Sequence, residues 1–528
     1  MQNQNFSFTI NAEAGNCPAN LDNSGANAPV LAEGMIPIYF AETSCSTISN
    51  PTYEDYPSCY DVEYSISNSD RQILLDYLVN DWYYSLEEAE TIMEEILTSP
   101  DYYSSTEGWF LDGLIDDYYS YGRGTIQMNT NITFNGAKYF PQITKADSAN
   151  MLNTWYNYSD KLWANAVMVS TNGGGVTGSQ TRQQYMDAAP GTPVLESDIL
   201  SYYVWMPRYR YTLFNVGTDI VSEQLIEVTF ETADTQKSTG STVGSQLTHP
   251  AFTWGAGESI QELDGIWVGK FETTGTTSSP TVKPSLSPLV SQPVYGYYNA
   301  NKTMDSEIYL TTTGVSEIDV HMLKNTEWGA VAYLKQSAYG LGTTKIAENS
   351  VCSDVDVYGC YNGFITGCGS PDPWARTTSI CRDYTSSSGQ NASTTGNITG
   401  VYDMSGGTWE YVMGVYSNSS GTTISYGSGG SSFSPTLSCT ANTYVNCYLA
   451  PSSSSDYAKR ILGDATAETR AWYSDYAVFV VSSNPWFARG GDSQEGWLFG
   501  FDRSDSLDPG NYFNNNCGSR ASAFVIPS

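Results

Sequence analysis

The sequence predicts an α+β chain: a small β module carrying a helical insertion, then a larger domain of many short strands, long loops and few helices. Three observations carry that expectation. A capping box at Ser85-Leu86-Glu87-Glu88 opens a run with helical spacing. Alternation with a period of two in YVWMPRYRYTLF (203–214) reads as a strand. Beyond residue 339, Gly and Ser interrupt the apolar runs, which leaves short strands and long loops. The 528 residues are 40% apolar and 13% aromatic, enough for a globular chain of roughly two to four domains.

Along the chain, APVLAEGMIPIYF (28–40) reads as a turn and a strand. KADSANMLNTWYNYSDKLWANAVMVST (145–171) reads as two short aromatic strands around a Tyr-Ser-Asp turn. Together these suggest a β module spanning 1–65 and 123–171. Between its halves, 66–122 reads as an inserted helical hairpin. Leu74 with Leu78 and Ile73 with Tyr77 stand at i,i+4; Leu86, Ala89, Ile92, Met93, Ile96 and Leu97 form the second apolar stripe. TEGWFLDGLIDDYY (106–119) offers a third short helix with a solvated acidic face.

Residues 172–200 read as a linker with a helical stretch, and 201–528 as the larger domain. In its first strand, Trp205, Pro207, Tyr209, Tyr211 and Leu213 are expected to pack, while Met206, Arg208, Arg210 and Thr212 face solvent. Pro207 suggests an edge or a first position. Residues 234–245 and 273–284 read as loops. Residues 318–338 read as a helix, with Trp328, Val331, Ala332 and Leu334 on its apolar side.

The net charge is −33, a field that repels phosphate backbones and anionic lipid. Nucleic-acid and membrane-surface binding are therefore not expected. Forty Tyr and 13 Trp supply amphipathic rings suited to contact surfaces as well as cores. The ten cysteines include the near neighbours Cys45 and Cys59, Cys352 and Cys360, Cys368 and Cys381, and Cys439 and Cys447. None has CxxC spacing, and His249 and His321 are the only histidines, so local disulfides are expected rather than zinc, with the pairing left open. MQNQNFSFTINAEAGNC lacks the basic and apolar regions of a signal peptide, and no apolar run is long enough for a membrane helix. An extracellular or virion-surface location is the expectation.

Five stretches of the second half stand in a specific order: FTWGAGESIQELDGIWVGKFETT (252–274), the Lys324-Asn325-Thr326-Glu327-Trp328 segment, DMSGGTWEYVMGVY (403–416), WFARGG (486–491) and GSRASAFVI (518–526). Together they resemble the C-type-lectin-like fold in its formylglycine-generating-enzyme (sulfatase-modifying-factor) branch. The enzymes of that branch carry a copper-binding cysteine pair after the Arg-Gly-Gly strand. Here DSQEGWLFGFDR (492–503) has no cysteine, and Cys517 stands alone before the closing strand. One thiolate cannot form a linear Cu(I) pair, so an oxidase is not expected. His249 and His321 read as packed or solvated histidines. Trp409 reads as core, and Glu410 as a partner of backbone amides or a ligand of calcium, the one cofactor that the fold suggests.

A second branch, the variable proteins of diversity-generating retroelements, is similar in its Trp-x-x-Arg-Gly-Gly strand, its variable surface and its closing Gly-x-Arg strand. That resemblance implies a ligand-binding face in 492–519. Asp492, Glu495, Trp497, Asp502, Arg503, Asn511, Tyr512 and Asn514 are the candidate ligand-binding residues, and Phe499 and Phe501 are divided between core and surface. Gly34–Ile38 and the Trp155–Val167 stretch resemble the front module of lectin-like surface proteins of gut bacteria and their phages. The expected role is a non-enzymatic, receptor-binding or adhesin-type protein. Its partners would be a host-cell surface protein or glycan and other virion or surface subunits. A structural surface or virion subunit is the alternative.

Overall fold

In the computed structural model, residues 24–53, 56–149, 155–255, 260–307, 318–352, 354–356, 359–374, 376–426, 433–440, 443–504 and 517–525 are described. Within them the chain is α+β, with six α-helices and many short strands. The strands that carry the architecture are β1 (Met35–Ser44), β2 (Tyr60–Ser65), β3 (Asn129–Phe134), β4 (Tyr139–Lys145), β5 (Asn165–Val169), β6 (Ile199–Pro207), β7 (Gly265–Gly269) and β8 (Ile318–Met322). They are followed by β9 (Trp409–Ser417), β10 (Asn446–Leu449), β11 (Trp486–Asp492), β12 (Glu495–Ser504), β13 (Cys517–Ser519) and β14 (Ala521–Val525).

The larger sheet runs β8-β14-β7-β6-β5-β1-β4, with every neighbouring pair antiparallel. Strands from both halves of the chain thus share one sheet. One buried cluster runs through both, from Ile36 and Trp163 to Trp267, Trp328 and Phe501. The second sheet runs β10-β9-β11-β12, with β13 beside β9. A second buried cluster, which includes Trp409, Tyr411 and Trp486, lies against it.

The insertion rises from the β2–β3 hairpin as α1 (Asn68–Asn80), α2 (Leu86–Thr98) and α3 (Leu111–Ser120). Ser85 and Glu88 form the expected reciprocal cap. Leu74, Leu78, Ile92, Met93 and Ile96 join Trp109 and Leu114 in a core of the insertion's own. Two residues depart from the expected stripes: Ile73 is 39% and Leu86 56% exposed. Ile73 lies off the arc defined by Leu74, Leu75 and Leu78, and Leu86 sits on the first turn.

Four further expectations are corrected. Of the two aromatic strands in 145–171, β5 forms, whereas Asn157 and Leu162 make only a bridge around the Tyr158–Asp160 turn. The helical stretch expected within 172–200 is α4 (Arg182–Asp187), which Lys145 holds: its Nζ donates to the carbonyls of Tyr185, Met186 and Ala188 at 2.6–2.9 Å. Residues 203–214 do not form one half-solvated edge strand. β6 lies inside the sheet with Met206 buried, and Pro207 ends it. Arg208 is also buried, its charge compensated by Glu231 at 3.0 Å and Glu262 at 2.6 Å. Beyond helix α5 (Val294–Glu307), residues 318–338 split into β8 and α6 (Asn325–Lys335), and α6 is buried on all sides rather than along one face. Expected loop 273–284 contains a small hairpin.

Disulfides join Cys45 to Cys59, Cys368 to Cys381 and Cys439 to Cys447, and Cys352 is disulfide-bonded as well. Such bonds suit an oxidising, extracellular environment. No helix among the described residues is long and apolar enough to cross a membrane.

Candidate functional site

Several charged residues of the C-terminal half are buried and hold loops and strands together. Arg520, just before β14, donates to Glu410 through Nε at 3.1 Å and Nη2 at 2.5 Å, and through Nη1 to the Gly269 carbonyl at 2.9 Å. Both Glu410 oxygens are therefore engaged by a guanidinium rather than by backbone amides. Glu272 accepts from the Thr408 N–H and hydroxyl, both at 2.9 Å. Asp403 accepts from the Gly367 N–H at 2.9 Å and from Asn349 at 2.8 Å. Burial pushes Glu410 up to about 7, Asp403 up to about 6 and Glu272 well above the carboxylate range, against the pull of Arg520. Three buried carboxyls thus share one guanidinium and titrate as a coupled group.

Arg489 completes this frame. It donates to the Ala465 carbonyl at 2.9 Å and lies over the Trp328 ring at 5.5 Å. The two glycines after it turn the chain back. A Cβ on Gly491 would lie 1.8 Å from the Glu495 carbonyl oxygen, and its φ is +75°. Only glycine fits that turn.

The β11–β12 hairpin mounts the candidate face on this frame. Trp497 is half-buried; it stacks on Tyr476 at 5.3 Å and 26° and meets Trp409 edge-on at 5.3 Å. Tyr476 is 47% exposed, so the ladder opens to solvent. Asp492 accepts from Trp409 and from the Gln494 N–H at 2.9 Å. Asp502 and Arg503 lie farther along β12, opposite Ala488 and Phe487, and both act electrostatically on Tyr476. Burial pushes the carboxyls of Asp492, Glu495 and Asp502 up. The expected residues Asp492, Glu495, Trp497, Asp502 and Arg503 therefore share one hairpin. Asn511, Tyr512 and Asn514 lie outside the described residues. Phe499 and Phe501 belong to the core, at 1% and 0% exposure. Sequence reasoning missed Tyr476, because nothing local separates it from the other tyrosines.

The insertion reaches this hairpin. Asp112 of α3 accepts from Ser379 Oγ at 2.9 Å and from the Ile380 N–H at 3.0 Å. The Arg376 N–H donates to the Gly108 carbonyl at 2.7 Å. At the seam lies a cleft of about 310 Å³ between Trp82, Trp109, Asp116 and Asp117 on the insertion and Arg376, Thr377, Gln494 and Glu495 on the larger body.

The two histidines are buried and structural in their contacts. His249 packs among Tyr209, Tyr211 and Tyr333, and burial pulls it down to about 3. His321 lies on β8, not at a helix start, between Asp319 at 2.8 Å and Glu327 at 3.1 Å. Cys517 is a buried free cysteine whose thiol is pushed well up by burial. A protonated, buried thiol is a poor nucleophile and metal ligand.

No protein-family model matches the chain, and no curated protein matches it in sequence. The geometry and the coarse class stand by themselves: a disulfide-bonded α+β protein with a partly open aromatic face on its last long hairpin.

Proposed function

We propose that this protein is a non-enzymatic binding protein of an extracellular or virion surface, with a C-type-lectin-like domain whose C-terminal face engages a host-surface glycan or protein. The observation that carries this reading is the Tyr476–Trp497–Trp409 ladder, left partly open beside Asp492, Asp502 and Arg503. Stiff aromatic rings give contact area at low entropy cost, and neighbouring polar groups set orientation. The residues that carry the family resemblance (Lys270, Glu272, Glu410, Arg489 and Arg520) are all buried. That placement suits a frame that tolerates change on the hairpin it supports. Retroelement-driven diversification of 492–519 belongs to the same proposal.

The test pairs Trp497→Ala and Tyr476→Ala with a glycan array and with binding to intact host cells. Each variant is expected to lose at least about tenfold in binding while remaining folded, as expected for aromatic anchors of a contact. Unchanged binding in both folded variants would remove this face from the proposal. Sequencing the gene across a natural population tests diversification: substitutions should cluster at adenine-bearing codons of 492–519, and an even spread over exposed loops would count against it.

A further inference from the structure

The cleft between the insertion and the β11–β12 turn has charges that the protein itself leaves unmatched. Arg376 is half-buried, with its guanidinium over the Trp109 ring at 4.3 Å and the Trp82 ring at 5.0 Å. Its Nε donates to the Glu107 carbonyl at 3.3 Å. Among the described residues, no carboxylate forms an ion pair with it.

The same cleft presents carboxylates without cationic partners. Asp116 and Glu495 line it from opposite walls, and neither forms an ion pair among the described residues. Asp117 lies beside them, but one of its oxygens is committed to the Tyr77 hydroxyl at 2.7 Å and the Trp82 indole at 2.9 Å. The indole N–H of Trp109 is turned to the Tyr84 hydroxyl at 3.4 Å. The tryptophans therefore offer the cleft ring surface rather than donors. A volume of about 310 Å³ suits a small molecule rather than a polymer segment.

We propose that this cleft binds a small zwitterion of amino-acid size, its carboxylate on Arg376, its ammonium between Asp116 and Glu495, and its side chain against Trp82 and Trp109. A carboxylate matches the planar fork of arginine through paired hydrogen bonds. An ammonium meets two carboxylates in a partly dehydrated site, where the attraction exceeds that in bulk water. Each half of such a ligand satisfies a charge that the fold leaves open. A simple anion would meet the acidic wall, and a simple amine would meet the guanidinium. The cleft shares Glu495 with the hairpin that carries the aromatic face, but neither Trp497 nor Tyr476 lines it.

Calorimetric titration of the full chain tests this with a panel of free α-amino acids, each compared with its decarboxylated amine and its deaminated acid. Saturable binding is expected for at least one amino acid, with at least about tenfold weaker binding of both matched analogues, as follows from losing one charge-assisted contact. Arg376→Gln and Asp116→Asn should each weaken binding about tenfold or more, while Trp497→Ala leaves it unchanged. Thermal melts of each variant separate lost contacts from lost folding, and Glu495→Gln supplies a surface variant should Arg376→Gln fail to fold. Equal binding of an analogue that lacks one charge, binding insensitive to the folded Asp116 and Glu495 variants, or no binding by any panel member would overturn the proposal. Loss of glycan or cell binding in Trp497→Ala with amino-acid binding intact would show that the two sites stand separately.

Discussion

At the residue scale, buried charges hold the frame in two different ways. Among the described residues, Arg520 is the one cation that forms an ion pair with Glu410, and it also acts electrostatically on Glu272 and Asp403; both it and Glu410 are wholly buried. Arg520→Met should therefore cost about 3–5 kcal/mol, because the carboxyls would be left uncompensated. Chemical denaturation measures this, and a loss below about 1 kcal/mol would show that the group protonates at little cost. His321 behaves differently. Two carboxylates accept from its two ring nitrogens, so the ring is held as imidazolium. Burial opposes that charge, but Glu327 and Asp319 outweigh it and the pKa is raised. The stabilisation is complete below the unfolded histidine value of about 6.5 and is lost as pH rises through the raised folded value. The melting-temperature gap between wild type and His321→Gln should accordingly be widest in mild acid and shrink in alkali; a gap independent of pH would show that His321 is neutral. The motif stretch Asp403–Tyr416 is readable in sequence as a frame, because Trp-Glu opening a strand and a lone closing Arg are distinctive. Tyr476 was not readable: its importance comes from stacking on Trp497, across a loop whose path no local pattern records.

At the element scale, legibility follows the range of the interactions. α2 was readable because its cap and its stripe are local, and Ser85 and Glu88 reach each other within one turn. In sequence β8 and α6 read as one helix, because Trp328, Val331 and Leu334 impose a helical rhythm that masks the alternation of Ile318, Val320 and Met322 before it. Arg208 signals a solvent face for 203–214 in sequence, whereas Glu231 and Glu262, the partners that allow its burial, come from distant segments. The docking of α3 depends on one close approach. A Cβ on Gly113 would lie 2.1 Å from the Thr377 carbonyl oxygen. Gly113→Ala favours the helix by local propensity but must push α3 from the loop that carries Arg376. We expect a net loss of about 1–3 kcal/mol in docking, seen as faster hydrogen exchange in Ser379 and Ile380 with the α1–α2 core protected as before. Unchanged exchange at those amides would mean that the seam absorbs the methyl group.

At the scale of the whole molecule, the central sheet joins parts of the chain that composition would treat separately. β5 and β6 pair from Asn165–Val204 to Met168–Ser201, and β6 and β7 pair from Gly265–Pro207 to Gly269–Tyr203. Such register is set by burial on both faces and by distant partners, which is why the sequence shows the strands but not their order. A polar contact crosses the same boundary. Lys270 Nζ is buried and donates to Asn165 Oδ1 at 2.9 Å, to the Ile398 carbonyl at 2.5 Å and to the Gly400 carbonyl at 2.9 Å. A fragment of residues 199–528 would lose the β5 partner of β6, uncovering an apolar strand edge that invites aggregation. It would also lose one of the three acceptors that satisfy a buried ammonium. The fragment is therefore expected to aggregate or to melt well below the full chain, and the full chain to unfold with the sheet as one cooperative unit in calorimetry. A soluble fragment 199–528 that melts within a few degrees of the intact protein would show that the β6 edge and Lys270 are satisfied without the first 198 residues, and that the shared sheet is an added layer rather than a condition of folding.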